Sequence, residues 1–231
     1  MNTAYALQFD FVLKERLEAV EQRIRSACAR CGRRRDEITL IAVTKVFPAS
    51  TVIEAYEHGL REFGENYVQE FAGKSPALPS LPDARFHLIG HLQSNKAKLA
   101  AELFQVIETV DSAKLARRLD NVVTKPLEVM VEVKLSYEES KEGAAPEELP
   151  PLIEAISACP NLRLSGLMTV PPWTEDAELS RPYFARLREL GARLPNSRLS
   201  MGMSHDFEVA IEEGATHIRI GTALFGKRRK P

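Results

Sequence analysis

Ile38-Thr39-Leu40-Ile41-Ala42-Val43-Thr44-Lys45 is an apolar run of strand length that closes on a lysine, just ahead of Val46-Phe47-Pro48. An ammonium at the end of a buried strand is costly unless it has a partner or a chemical task, because an apolar interior solvates charge poorly. Lys45 therefore needs a reason. The run is also the first of a series. Residues 49–58 read as a helix stopped by Gly59, and 60–63 as a second strand.

The alternation continues along the chain. Helix 65–73 leads into a loop through Ser75, Pro76, Pro79 and Pro82; strand 85–89, helix 92–102 and strand 104–109 follow. Asp111 can cap a helix running to about Thr124, before strand 127–133. Helix 146–158, strand 162–168, a long helix 177–194, strand 198–201, helix 204–213 and strand 216–220 complete the order. Ahead of it, Phe11, Leu13, Leu17, Val20, Ile24 and Ala27 form a helical stripe within 9–31, and Gly32 is its stop signal.

Strands separated by helices pair in parallel through right-handed crossovers, and about eight such units in one core favour closure into a barrel. The expected fold is a single (β/α)8 TIM barrel, one domain over 1–231, with an extra N-terminal helix covering the place of a final barrel helix. An open Rossmann-like sheet is the alternative, but no G-x-G-x-x-G follows the first strand.

Composition narrows the function. A 231-residue chain with 44% hydrophobic residues and a net charge of -1 suits one globular core, and points to neither nucleic acid nor an anionic membrane as partner. No apolar stretch approaches the roughly 20 residues of a membrane span. Met1 to Asp10 lack a basic start followed by an apolar signal core, so the cytoplasm is the expected location. Cys28, Cys31 and Cys159 are too few and odd in number for a disulfide framework. Cys28-x-x-Cys31 is a weak redox or metal signal, since no second pair or nearby histidine completes a tetrahedral site. Arg30, Arg33, Arg34 and Arg35 suit a helix C-terminus better than a nucleic-acid patch.

In a barrel, ligand chemistry gathers at the C-terminal ends of the strands. There the chain places Lys45, then Asn66 within Phe63–Glu70, the polar run Phe86–Lys96, and Gly166-Leu167-Met168-Thr169. The last two ends are Ser200-Met201-Gly202-Met203-Ser204 and Arg219-Ile220-Gly221-Thr222. Small residues admit an anion to the backbone and hydroxyls donate to it; a helix starting at Ser204 would add free N–H groups. Ser200, Gly202, Ser204, Gly221 and Thr222 are thus the expected phosphate cup, against the plainer reading of a cap and a turn. Arg219, inside an apolar strand, needs a partner. An imine-forming lysine, a phosphate cup and a guanidinium facing a ring nitrogen together describe a pyridoxal 5'-phosphate (PLP) site. Burial of Lys45 would lower its pKa and free its amine for an aldehyde.

These segments resemble the pyridoxal-phosphate homeostasis protein family, single-domain relatives of the alanine racemase N-terminal barrel. Ala42–Lys45, Phe63–Glu70, Phe86–Lys96, Gly166–Thr169, Ser200–Asp206 and Arg219–Gly226 carry the resemblance. It implies PLP held as an internal aldimine on Lys45, phosphate contacts at Ser200, Ser204, Gly221 and Thr222, and Arg219 facing the pyridine nitrogen. Asn66, Met201 and Gly202 are implied as site lining. Val46-Phe47 is less polar than the family's pattern.

The implied role is cofactor homeostasis without robust catalysis, with apo PLP-dependent enzymes as possible recipients and a monomeric state. Arg219 would disfavour protonation of the ring and weaken it as an electron sink. A small amino-acid racemase or lyase is the enzymatic alternative. Only a short tail, basic at Lys227–Lys230, follows Thr222, whereas two-domain racemases draw an acid–base group from a C-terminal β-domain. A metal enzyme using His87 and His91 is the third reading, with no carboxylate-rich ligand set evident around them.

Overall fold

A computed structural model describes residues 3–136 and 142–226, with side chains from residue 12 onward. Eight parallel strands close into a barrel in sequential order: β1 (Thr39–Val43), β2 (Glu62–Glu65), β3 (Arg85–Leu88), β4 (Val106–Val110), β5 (Leu127–Glu132), β6 (Leu162–Met168), β7 (Arg198–Met203) and β8 (His217–Ile220). Around them lie α1 (Thr3–Arg30), α2 (Ala49–Glu57), α3 (Val68–Lys74), α4 (Ala97–Leu103), α5 (Ala113–Asp120), α6 (Leu149–Ser157), α7 (Arg181–Gly191), α8 (Phe207–Glu212) and the short α9 (Thr222–Phe225). The expected TIM barrel is the fold.

The core lies mainly between strands and helices. Outward residues of the strands, such as Phe63 and Leu88, are buried under the helices, and Phe71 of α3 packs its ring 4.7 Å from Phe86 and 5.0 Å from Phe104. Helix α1 presents Leu13, Val20, Ile24 and Ala27 to this layer and packs against α8 and α9, closing the gap as expected. Phe11, the first residue of that stripe, lies outside the described side chains, as the Lys227–Lys230 tail lies outside the described residues. Gly32 ends α1 with φ +70, and the Arg33 N–H returns to the Cys28 carbonyl at 2.9 Å.

The basic cluster there is spent on structure. Arg30 pairs with Glu212, Arg35 with Glu21 and Arg34 with Asp36, while Arg33 donates to the carbonyls of Ile211 and Ala215. Burial pushes the Cys28 thiol up, the reverse of a redox-active thiolate, and all three cysteines are unbridged. Among the described residues, no helix is long and apolar enough to cross a membrane.

Several expected boundaries shift, each for a local reason. Ser112, not Asp111, caps α5, its hydroxyl accepting from the Leu115 N–H at 3.3 Å. The expected helix 177–194 is a 3-10 turn, Ala177–Ser180, followed by α7; Pro182, which has no N–H to donate back to the preceding turn, stands in the first turn of α7. The helix expected to begin at Ser204 begins at Phe207, because Asp206 folds its carboxylate back onto the Met203 N–H at 2.7 Å and makes 203–206 a closed turn. Strand β2 runs two residues later than the expected 60–63.

Gly166 on β6 is required by packing against β7. A Cβ there would stand 2.0 Å from the Arg198 carbonyl oxygen, a backbone atom that cannot step aside without opening the barrel. Gly166→Ala is expected to cost about 2–4 kcal/mol through overpacking, read as a lowered urea midpoint with an unchanged m-value.

Candidate functional site

Alternation along β1 sets the site. Leu40, Ala42 and Thr44 face the helices, while Ile41 and Val43 point into the barrel, where both lie against the space above Gly64. Lys45 stands two residues beyond Val43, in the turn that follows β1, half-buried and less enclosed than the sequence implies. Strand β1 pairs with β2 on one side and β8 on the other. The mouth beside Lys45 is therefore made by Asn66, directly after β2, and by Gly221 and Thr222, directly after β8. Ser204, directly after β7, comes next.

Ser204 and the β8 end are tied together. The Ser204 hydroxyl accepts from the Ala223 N–H at 3.2 Å, capping α9 rather than starting α8, and its own proton remains for a further acceptor. Gly221 is not sterically required: a Cβ there would make only ordinary contact, 3.4 Å from the Val43 Cβ and 3.5 Å from the Val43 carbonyl oxygen. Thr222 is exposed. Gly202 has a different reason for being glycine. Its φ is +90, and a Cβ would lie 2.5 Å from the Ala210 Cβ and 2.9 Å from the Phe207 Cα, so its smallness admits α8 to the strand.

Ser200, an expected phosphate contact, and Met201, expected as site lining, both lie buried. Ser200 is fully buried below the mouth, donating to Glu108 Oε2 at 2.5 Å and accepting from Arg219 Nη1 at 2.7 Å, so its hydroxyl is already committed. Met201 is likewise fully buried, within the hydrophobic core. Arg219 is 4% exposed and directs its Nη2 to the Thr169 carbonyl at 2.9 Å.

Beneath the mouth, the barrel interior is polar where bulky aliphatic residues are usual. His87 bridges two carboxylates, with Nδ1 2.7 Å from Glu108 Oε1 and Nε2 2.6 Å from Glu62 Oε2. Burial alone would push His87 down; the hydrogen bonds to Glu108 and Glu62 outweigh it and raise the imidazole to about 9. Burial would likewise raise Glu108, yet His87 and Arg219 hold it at about 2. His217, whose ring lies 6.4 Å from that of His87, is pushed down to about 4 by burial. The chain His87–Glu108–Ser200–Arg219 was not foreseen as a unit, although each member is a polar residue inside an apolar strand.

This network also answers the metal reading. His87 is enclosed by Glu62 and Glu108, whereas His91 stands at the mouth with Asp111 and Glu142, its Nδ1 3.7 Å from each carboxylate. Both histidines do have carboxylate neighbours, contrary to expectation, because the acids come from other segments of the chain: Glu62 and Glu108 from within β2 and β4, Asp111 just after β4, and Glu142 from beyond β5. The two sets are separate, and His87 has no ring nitrogen left to ligate.

A second polar cluster lies behind Lys45. The buried Lys74 donates from Nζ to the Thr44 carbonyl at 2.9 Å and to Glu65 Oε1 at 2.7 Å, and Thr44 Oγ1 donates to the same carboxylate oxygen at 2.7 Å. Burial raises Glu65, against the pull of Lys74 and Thr44. The clue in the sequence was a lysine and a glutamate nine positions apart, which carries little signal across a strand–helix turn.

The donor set fits a phosphorylated aldehyde cofactor. Asn66 Oδ1 is buried without a hydrogen-bond partner among the described residues, an unmet acceptor beside Lys45. Gly221 has no side chain, and Ser204 and Thr222 offer hydroxyls. A cavity of about 220 Å³ lies at the ends of β3, β5 and β6, lined by none of these residues; its wall at Gly90 abuts Asn66, where a Cβ would meet the Asn66 carbonyl at 2.3 Å.

Comparison with known proteins is consistent with this geometry. A family profile described as alanine racemase, N-terminal domain, matches residues 16–229. A pyridoxal phosphate homeostasis protein of Pseudomonas aeruginosa is 48% identical over 221 residues, 94% of this chain and 96% of its own. One from Aquifex aeolicus is 44% identical over 93% of this chain and 98% of its own. Among solved structures, PipY of Synechococcus elongatus with PLP bound is 39% identical, with a TM-score of 0.78, over 88% of this chain and all of its own. Alanine racemase of Clostridium difficile shares the fold at a TM-score of 0.73 and 13% identity, over 95% of this chain and 57% of its own.

The interior network gives stability a definite pH dependence. His87, raised from 6.5 to about 9, contributes fully below pH 6.5 and loses that contribution as pH rises through 9. His217, lowered from 6.5 to about 4, contributes above pH 6.5 and loses it as pH falls through 4. The urea midpoint is expected to peak near pH 6.5 and fall on both sides. In His87→Gln, the alkaline limb between 6.5 and 9 should flatten.

Proposed function

The chain belongs to the pyridoxal phosphate homeostasis protein family, and from that membership we propose that it binds PLP at the barrel mouth through Lys45 and takes part in maintaining its supply. What supports this reading is the position of Lys45 just beyond β1, whose barrel neighbours β2 and β8 lead directly into Asn66 and into Gly221–Thr222, the latter joined to Ser204. When bound, the cofactor supplies an aldehyde and an electron-withdrawing ring.

Lys45 would hold the cofactor through its amine, the nucleophile that suits an aldehyde. Ser204 and Thr222 donate hydroxyl protons to the phosphate, and the unhindered backbone at Gly221 lets that anion approach. Asn66 meets the cofactor with its unpartnered side-chain oxygen. Arg219 is held in place by Ser200 and the Thr169 carbonyl, so its cation faces the site from below. A fixed guanidinium there opposes a second positive charge on a ring nitrogen, which favours holding the cofactor over turning it in a catalytic cycle. The related proteins are named for homeostasis, which supports the same reading. Apo-enzymes that need PLP are the recipients we propose, in a cytoplasm whose reducing conditions suit three unbridged cysteines.

Borohydride treatment of the loaded protein is expected to fix the cofactor to the peptide carrying Lys45, and Lys45→Ala to abolish the attachment; label on a different lysine instead would defeat the assignment. Hydrogen bonds to a charged group are worth about 1.5–3 kcal/mol each, so Ser204→Ala with Thr222→Val should weaken PLP binding by more than about tenfold in equilibrium dialysis. Unchanged affinity would remove the phosphate contacts from these hydroxyls. Sustained racemisation or keto-acid release from L-amino acids would replace the homeostatic reading with an enzymatic one.

A further inference from the structure

The residues on either side of Lys45 are gripped by one polar cluster. Lys74 Nζ holds the Thr44 carbonyl at 2.9 Å, and Glu70 Oε1 accepts from the Val46 N–H at 2.5 Å while lying 3.5 Å from Lys74 Nζ. Glu65 completes the group, its Oε1 receiving both Lys74 and Thr44. Val46 itself has φ +62, a left-handed conformation that a β-branched residue adopts only at a cost of about 1–3 kcal/mol. Its side chain is 54% exposed, so packing does not enforce that conformation. The restraints present are polar: Val46 N–H to Glu70, and Phe47 N–H to the Thr44 carbonyl at 3.1 Å, the same oxygen that Lys74 holds.

We infer that Lys74 is a positioning residue for Lys45: with Glu65 and Glu70 it clamps the strained turn that aims the Lys45 amine into the barrel mouth. The inference rests on the PLP reading for its purpose, but the clamp concerns the chain alone. Lys74 reaches the backbone before Lys45, and through Glu70 the backbone after it. Its ammonium is also the one cation in contact with both carboxylates among the described ion pairs. Without it, Glu65 is left as a buried carboxylate, the Thr44 carbonyl loses a donor, and Glu70 loses the charge that holds it over the Val46 N–H. The turn is then free to relax toward a negative φ and carry the lysine with it.

The test uses the full chain with Lys74→Met, Lys74→Arg and Glu70→Ala; Glu70 is partly exposed, so its removal leaves the fold standing if Lys74→Met does not. In cofactor-free protein, trace acetylation with acetic anhydride is followed at each lysine by peptide mass spectrometry. With PLP, the rate of borohydride-trapped attachment is measured, and equilibrium binding of pyridoxine 5'-phosphate, which has no aldehyde, reports the phosphate contacts separately. A misplacement of about 1 Å costs as much as a hundredfold in a positioned reaction; attachment is expected to slow by at least about tenfold in Lys74→Met and Glu70→Ala. The acetylation rate of Lys45 relative to the other lysines should change by at least about threefold, with pyridoxine 5'-phosphate binding retained. Lys74→Arg, which restores a cation to the cluster, should recover much of both.

Lower thermal stability with wild-type acetylation and attachment at Lys45 would overturn the inference, leaving Lys74 a structural ion-pair partner only. Should the wild-type chain attach no PLP, the reading of function fails, and the acetylation rates in cofactor-free protein still decide the clamp.

Discussion

Inside the barrel, a carboxylate that touches no water holds an imidazolium on one oxygen and a serine hydroxyl on the other, and through that serine an arginine. Glu108 is fully buried, as is Ser200, and His87 and Arg219 are nearly so. A charge so placed is tolerable only when every partner stays. The chain crosses the barrel from β3 and β4 to β7 and β8, so the interior layer depends on four strands keeping register. Interior charges fix that register more narrowly than interchangeable aliphatic side chains do, because a one-residue slip would reverse the facing of every group. This layer also fixes Arg219, whose guanidinium is held by Ser200 and the Thr169 carbonyl.

Above that layer the mouth is built from a contiguous set of strand ends, β7, β8, β1 and β2. Closure of the sheet brings the last strand beside the first, and Lys45 and Thr222, far apart in the chain, become neighbours along the rim. The supporting parts divide by side of the sheet. Inward residues carry the charge relay, whereas Thr44 and Glu65 face outward and meet Lys74 of α3. The backbone on either side of Lys45 is thereby held from the helix layer, at Thr44 by Lys74 and at Val46 by Glu70.

Glycines mark the places where backbones come too close for a side chain, and they do so for different reasons. Gly90 lets the β3 end lie against Asn66, and Gly202 lets α8 settle on β7, while Gly221 meets no such obstacle. Of these three, Gly221 is the one where a Cβ would make only ordinary contact, with Val43. Smallness alone therefore does not identify an anion contact.

The barrel can be read from residue order alone, because a strand buried on both faces must be a continuous apolar run and a helix over it must repeat at its own period. The same logic exposes Lys45 and Arg219, charges set in or at the end of such runs, and it places Asn66, Ser204, Gly221 and Thr222 at strand ends. Pairwise partners were beyond it. That Ser200 serves Glu108 rather than an incoming anion, that Asp206 closes a turn and delays α8, and that Lys74 grips the turn around Lys45 all follow from contacts between distant segments. A sequence pattern reports which face a residue occupies, since that depends on local geometry. Which atom it meets there depends on strand register and helix docking, and only the folded barrel decides those.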